Sequence, residues 1–571
     1  MLRRSGGPDP VRQALIACRG HYTAAAVLSG CANLLCLTPT IFMLQVYDRV
    51  VPTGGLATLG LLAAITLSAY ATLGMFEWLR SRLLLKAGVR LDRVLAEPVL
   101  AAVLGRPHVN RVERAEALRN LDTFRQAMSG PVMTVAFDAP WMPIYVLAAF
   151  LVSPWIGLVT LFAGAVLMIL VLGNERATHA PLAAAAAAAS IAYNRQGHIA
   201  ANAGDVRALG MRRALTATIL SDRARASTLQ LEAAFAGGRH TSIMRIVRLM
   251  MQSLGLALGA WLAIEGKISG GAIFASTLLI SRALAPIEQL TQSWSTVTRA
   301  REARRHLNIL LTDDRTYQPD TVLPAPRGRI ALESLAVAPV GATTAVLAGA
   351  TLTIEPGEVI GIAGLSGAGK STLLGTIAGA IRPAAGIVRI DGAALDAWDP
   401  ERLAPYVGYL PQGFTLFAGS VKDNIARFAG ALDGDTGQID EQVIAAAKRV
   451  GAHDMIQRLP QGYDTVLGDG GSGLSAGQAQ RVALARALFG APRIVLLDEP
   501  YSHLDNEGQV ALLGCIQQLR TDGVTVLMTA HQADMLAAAD KIMLLGHGRV
   551  ARFGPINVPT TNVHALQEKR A

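Results

Sequence analysis

The sequence predicts two folds in one chain: an all-α transmembrane region of six helices with long cytoplasmic extensions, then an α/β domain. Three observations carry this. The 571 residues are 51% hydrophobic and 16% charged, where soluble domains hold about a quarter charged residues. Six apolar runs, near 23–46, 56–78, 132–152, 155–173, 243–264 and 271–290, each approach the roughly 20 residues needed to cross a bilayer. From about residue 328, short β-rich runs alternate with glycine turns and helices.

Basic residues orient the spans. Arg3, Arg4, Arg12 and Arg19 precede the first run, and the stretches 79–131 and 174–242 hold most of the rest, from Arg80 to Arg125 and from Arg176 to Arg239. The other connections contain only Arg49 and Lys267. The N-terminus, both long stretches and everything after residue 290 are therefore cytoplasmic. This topology accounts for much of the +10 net charge, so nucleic acid is not an expected partner. Arg19 and His21 interrupt the start of the first run, which reads as a cytoplasmic beginning and not a cleaved signal. Cys18, Cys31, Cys36 and Cys515 have neither zinc-ligand nor disulfide-framework spacing.

The two long stretches read as helices, with the run Ala183–Ala189 strongly favouring that state. As continuations of the spans they project well beyond the bilayer, and Gly105–Pro107 and the Gly204/Gly210 region are where they turn back. Charged helical sequence follows the sixth span to about Leu311, then a polar, proline-bearing linker. The expected domains are a cytoplasmic N-terminal segment 1–22, a membrane domain 23–311, a linker 312–327 and an α/β domain 328–571.

GLSGAGKST, Gly364–Thr372, fits G-x-x-x-x-G-K-[ST] in full, with a strand-like Val359–Ala363 before it and helical sequence after. Such a loop turns the backbone N–H groups of Gly364, Ser366, Gly367, Ala368 and Gly369 around nucleotide phosphates. Lys370 brings a cation to the β- and γ-phosphates, and Ser371, beside Thr372, suits Mg²⁺. IVLLDEP, Ile494–Pro500, is a buried-strand run ending in two carboxylates. Asp498 suits Mg²⁺ through water, and Glu499 can polarise an attacking water.

Between these motifs lies GLSAGQAQR, Gly473–Arg481, which resembles the LSGGQ sequence of ATP-binding-cassette (ABC) proteins. Leu410-Pro411-Gln412 resembles the Q-loop, Ser502-His503-Leu504-Asp505 the D-loop and Thr529-Ala530-His531 the switch histidine, all in family order. The resemblance implies a six-helix exporter domain fused to an α/β P-loop nucleotide-binding domain that uses ATP and Mg²⁺. It implies a catalytic set of Glu499, His531, Lys370 and Gln412, and Mg²⁺ at Ser371, Gln412 and Asp498. Ser475, Gly477, Gln478 and Asp505 contact nucleotide from a facing cassette. With one cassette per chain, a homodimer is expected. Two departures stand out. Ala476 replaces a glycine of the pattern, and no tyrosine in 335–344 matches the one that often stacks on adenine.

FMLQVYDRVVPTGG (42–55), NLDTFRQAMSGP (120–131), FDAPWMPIYV (137–146) and SRALAPIEQL (281–290) narrow the resemblance. They are similar to the type I secretion ABC exporters, in the protease-exporter (PrtD-like) branch. That implies export of unfolded polypeptide across the bacterial inner membrane, with a periplasmic adaptor and an outer-membrane channel as partners. The first span begins too early for the peptidase-like domain of some relatives. The alternative on this scaffold is export of lipid, drug or small peptide.

Two expectations concern the membrane half. A carboxylate at a lipid-facing helix centre costs about 2.5–3.5 kcal/mol. Asp138 therefore faces a wet pathway or a basic partner, or else caps a helix start at the interface, with Trp141 and Trp155 at the two interfaces. By resemblance, segments near Leu118–Ala127 and Asn202–Leu209, with Asp122 and Asp205, dock on the cassettes.

Overall fold

The computed structural model describes residues 9–105, 111–312, 322–338, 345–432, 436–530 and 532–556. These fall into two compact units, on either side of 313–321.

The first unit is entirely helical among its described residues. α1 (Pro10–Ala17) precedes a first span built from α2 (Arg19–Leu35), α3 (Thr38–Gln45) and a π-helical turn, Val46–Val50. α4 (Leu56–Gly105) is the second span, and α5 (Arg111–Ser129) returns along it. The third span is broken into α6 (Pro131–Asp138), a 3₁₀ turn at Ala139–Trp141 and α7 (Met142–Val152). α8 (Pro154–Ala201), the short α9 (Ala203–Ala208), α10 (Arg212–Ile264), α11 (Gly270–Gln292) and α12 (Trp294–Thr312) complete the unit. Six helical segments are long and apolar enough to cross a membrane, and each contains one of the apolar runs.

α8 and α10, of 48 and 53 residues, pack against each other and run past any bilayer. The chain turns back between them at α9 and Gly210, whose φ is +66°. The other expected turn begins at Gly105, where α4 ends, and Arg106 and Pro107 lie outside the described residues.

Leu118–Ala127 lies in the middle of α5, with Leu121 and Phe124 buried beside Leu91, Leu95 and Leu307, Ala127 buried as well, and Leu118, Arg119 and Asp122 exposed. Ala117, Leu121 and Phe124 recur at helical spacing, and that stripe turns into the core. Asp122 stays exposed beside Arg125, and Asp205 is exposed on α9.

In the second unit, β1 (Ile330–Val337), β2 (Leu347–Ile354) and β4 (Ala385–Ile390) form an antiparallel sheet in the order β2-β1-β4. The central sheet contains β3 (Val359–Gly364), β5 (Val407–Leu410), β6 (Ile494–Leu497), β7 (Thr525–Thr529), β8 (Lys541–Gly546) and β9 (Arg549–Pro555), ordered β9-β8-β3-β7-β6-β5. All its pairings are parallel except β8 with β9. β3, β6 and β7 are apolar and buried on both faces, as a covered parallel sheet requires. The longest helices of this unit among the described residues are α13 (Lys370–Ile377), α14 (Thr436–Arg449), α15 (Ala476–Leu488) and α16 (Asn506–Thr521).

Candidate functional site

The register of the central sheet brings the sequence motifs to one edge. Thr529 pairs with Ile362, Leu497 with Met528 and Leu410 with Leu497, so β3, β5, β6 and β7 end together. Open α/β sheets bind ligands at this carboxyl edge. Gly364 closes β3 at φ +158°, where a Cβ would lie 2.4 Å from the Leu545 carbonyl oxygen. Gly369 adopts φ +97° just before α13. Ser366, Gly367 and Ala368 form the loop between them, and Lys370, Ser371 and Thr372 are the first turn of α13. Nothing lies within 4 Å of where a Gly367 Cβ would sit.

Lys370 is buried, and its Nζ donates to the Gly364 and Leu365 carbonyls at 2.8 and 3.1 Å. Burial lowers its pKa from the usual lysine value, opposed by the nearby Glu499 and Asp498 carboxylates. A buried cation hydrogen-bonded to two backbone carbonyls, on a glycine loop that leads into a helix N-terminus, is suited to an incoming phosphate.

Asp498, 2% exposed, follows the end of β6 and accepts from the Thr529 hydroxyl at 2.8 Å. The same hydroxyl oxygen accepts from the Glu499 N–H at 2.7 Å. Glu499 has φ +47°, a conformation non-glycine residues adopt at a cost and often at functional sites. Gln412, two residues beyond β5, donates through Nε2 to Glu499 Oε2 at 3.1 Å. That leaves Gln412 Oε1 and the second Asp498 oxygen, with the Ser371 hydroxyl, as oxygen donors suited to a hard cation such as Mg²⁺. His531 lies outside the described residues.

A second group forms around α15. Ser475 caps it, accepting from the Gln478 N–H at 3.3 Å while Gln478 Oε1 accepts from the Ser475 N–H at 2.9 Å. Ala476 is exposed in the first turn at ordinary helical φ, so glycine's freedom is not needed there. Gly477 is needed, because a Cβ would come 2.9 Å from the His503 carbonyl oxygen. Asp505 caps α16 and accepts from Arg481 at 2.5 Å. Among the described residues, no hydrogen bond joins Ser475, Gly477 or Gln478 to Lys370, Gln412 or Asp498.

Several residues escaped the sequence reading. Thr529 and Gln480, which donates to the Pro500 carbonyl at 2.9 Å, stand in quoted motifs but with no role of their own. Arg427, in the left-handed region, donates to the carbonyls of Ala404, Arg486 and Ala487. Burial and the charge of Arg486 lower its pKa to about 10. Arg486 donates to the Thr415 carbonyl, so the pair fixes the segment after Gln412. The available signal was polar residues, Gln480, Arg481 and Arg486, on an otherwise Ala/Leu-rich helix.

In the membrane unit, Asp138 Oδ1 meets Arg80 at 2.9 Å, Asn33 Nδ2 at 2.8 Å and the Ser29 hydroxyl. The Tyr145 hydroxyl donates to the Asn33 carbonyl at 2.7 Å. The basic-partner expectation matches this arrangement, whereas the capping alternative fails because Asp138 ends α6 and makes no side-chain cap bond. Pro140 and Pro143 occupy the first turns of the 3₁₀ segment and α7, where a missing N–H costs nothing. Trp141 packs its ring on Gly30, a helix–helix contact, while Trp155 is exposed. Asp48, in the π-helical turn, accepts from the Gly271 N–H at 2.7 Å and the Ser269 hydroxyl at 2.5 Å. Arg248 on α10 pairs with Glu288 on α11 at 2.5 Å.

Comparison with known proteins places this geometry. A family profile described as ABC transporter matches residues 347–502. The chain is 38% identical to the type I secretion system ATP-binding protein PrsD of Rhizobium meliloti, over 96% of this chain and 93% of that one. It is 30% identical to the toxin RTX-I translocation ATP-binding protein of Actinobacillus pleuropneumoniae, over 95% of this chain and 76% of the relative. The fold matches a bacterial Atm1-family ABC exporter solved with ATP bound, at a TM-score of 0.81 and 21% identity, covering 98% of this chain and 99% of the other.

Proposed function

The chain belongs to the ABC exporters of type I secretion systems, and from that premise we propose that two copies clamp ATP between their cassettes to drive unfolded polypeptide out of the cytoplasm. The chain is a multi-pass inner-membrane protein that couples ATP hydrolysis to translocation, with adaptor and channel proteins as partners. The type I secretion and toxin-translocation roles of the relatives support a polypeptide cargo. Export of lipid, drug or small peptide on the same scaffold is the lesser reading.

In this reading, the loop N–H groups from Gly364 to Gly369 and the Lys370 amine bind and orient the β- and γ-phosphates. Ser371, Gln412 and Asp498 would hold Mg²⁺, which would supply positive charge to neutralise the phosphates. Glu499 polarises the attacking water, and Gln412, bonded to it, positions that carboxylate. His531 stays in the proposed catalytic set on the resemblance alone. Ser475, Gly477, Gln478 and Asp505 contact nucleotide held by the other copy. Binding favours the closed state only through its differential affinity for ATP, and the membrane helices follow that closure.

The observation that carries this reading is the convergence of Lys370, Gln412, Asp498 and Glu499 on one sheet edge. Glu499→Gln in the detergent-purified protein should cut phosphate release by roughly 10²–10³-fold while ATP binding persists and holds the dimer together. Normal turnover in that variant would overturn the assignment. Export is checked by reconstitution with an adaptor and channel and an unfolded repeat protein as cargo.

A further inference from the structure

Three carboxylates of the membrane unit each have a partner: Asp138 has Arg80, Glu288 has Arg248, and Asp48 has the N-terminus of α11. Arg282 does not. It stands thirteenth of 23 residues in α11, some 15 Å from either helix end at 1.5 Å per residue. Too central to reach a headgroup region by snorkelling, it is exposed and has no hydrogen bond or carboxylate partner among the described residues.

Its neighbours along the helix make the placement more pointed. At helical spacing, Phe274, Leu278, Ser281, Arg282, Ala285, Gln289 and Gln292 form one exposed or half-buried stripe. The opposite stripe, with Ala275, Leu279, Ala283 and Ile287, is buried in the unit's own core. A lipid-facing stripe would be apolar, yet this one holds an arginine, a serine and two glutamines. Intramembrane arginines face water or a partner.

We propose that this stripe of α11 lines the aqueous export path and that Arg282 is its charge-selective contact, engaging acidic stretches of the passing polypeptide. The inference rests on the polypeptide-export reading and adds a preference to it. Charge complementarity selects the occupant: with Glu288 paired to Arg248, the charge that the stripe itself presents is that of Arg282. A second copy would bring a second Arg282 to the same path.

The test uses the full-length protein in phospholipid nanodiscs, with ATPase stimulation read against unstructured Gly/Ser peptides of equal length carrying either glutamates or lysines. The glutamate peptide should stimulate at about fivefold lower concentration than the lysine peptide. Arg282→Gln should erase that ratio and Arg282→Glu should reverse it, with basal turnover unchanged because residue 282 belongs to the membrane unit and to none of the nucleotide motifs. Stimulation by both peptides with a ratio indifferent to residue 282 would overturn this inference alone. Response to neither would overturn the polypeptide reading, and this inference with it. A second measurement guards against misfolding of the charge-reversed variant. Ser281→Cys, with Cys18, Cys31, Cys36 and Cys515 replaced by alanine, should react with a polar thiol reagent and be protected by the glutamate peptide. A lipid-facing position would not react, and the proposal would fall.

Discussion

Lys370 and Asp138 are both ionisable groups in apolar surroundings, but their environments differ. Lys370, 7% exposed, is met by two backbone carbonyls of its own loop. Asp138, with a side chain 15% exposed, is met by a guanidinium, an amide and a hydroxyl from α2 and α4. Neutral carbonyls orient a cation without cancelling its charge, so Lys370 keeps its pull on an incoming anion. Asp138 is already neutralised, so it ties helices together. Burial of a charge therefore does not mark a catalytic group. The identity of its partners does.

The largest expected effect tests the cassette side of this contrast. Lys370→Ala should lower ATP hydrolysis by roughly 10²–10³-fold, with little change in melting temperature, because only two carbonyl contacts within one loop are lost. A large loss of stability with residual turnover would reverse the assignment.

Asp138 should behave the other way. Removing either partner strands a charge, at a cost of about 3–5 kcal/mol, whereas removing both costs much less. Asp138→Ala and Arg80→Ala should each lower the denaturation midpoint in detergent, and the double variant should recover part of it. Additive losses would show that the two side chains act independently and that Asp138 faces the export path itself.

The same contrast explains what was legible in the sequence. Walker-type motifs are contiguous because one turn between a strand and a helix builds the whole phosphate cradle. Gly364 to Thr372 could therefore be read directly, as could Asp498 and Glu499 at a strand end. The Asp138 cluster draws Ser29, Asn33 and Arg80 from up to 109 positions away. No spacing rule announces such a set, so the need for a basic partner was readable but not which one. Leu118–Ala127 is half legible for a related reason: a charged helix outside the bilayer reads as surface, and only its apolar stripe reveals the core it joins. The first span, with its π-helical turn at Asp48, read simply as apolar length.

Thr529 sharpens the comparison at smaller scale, since its hydroxyl serves both acidic neighbours at the sheet edge. Thr529→Val keeps the shape but leaves the Glu499 N–H unpaired and frees one Asp498 oxygen. Losing a buried hydrogen bond of this kind costs about 1–2 kcal/mol, so turnover should fall by roughly tenfold while nucleotide binding changes little. An unchanged rate would mean that the left-handed turn at Glu499 is held by other contacts.

The smallest effect concerns a pair at the surface. Asp505 accepts from the Gly508 N–H and from Arg481, and these bonds hold its pKa below the ordinary 3.8. A depressed carboxylate pKa contributes stability that is fully present above the unfolded value and is lost as pH falls through the folded one. The junction between α15 and the start of α16 should therefore be insensitive to pH through the neutral range and weaken only below about pH 4. Because many carboxylates titrate in acid, the informative quantity is the melting-temperature difference between the native chain and Asp505→Asn. That difference should stay constant from neutral pH down to the ordinary aspartate range and narrow below it. A difference that instead changed near neutral pH would show that the Asp505 carboxylate is not the group that sets it.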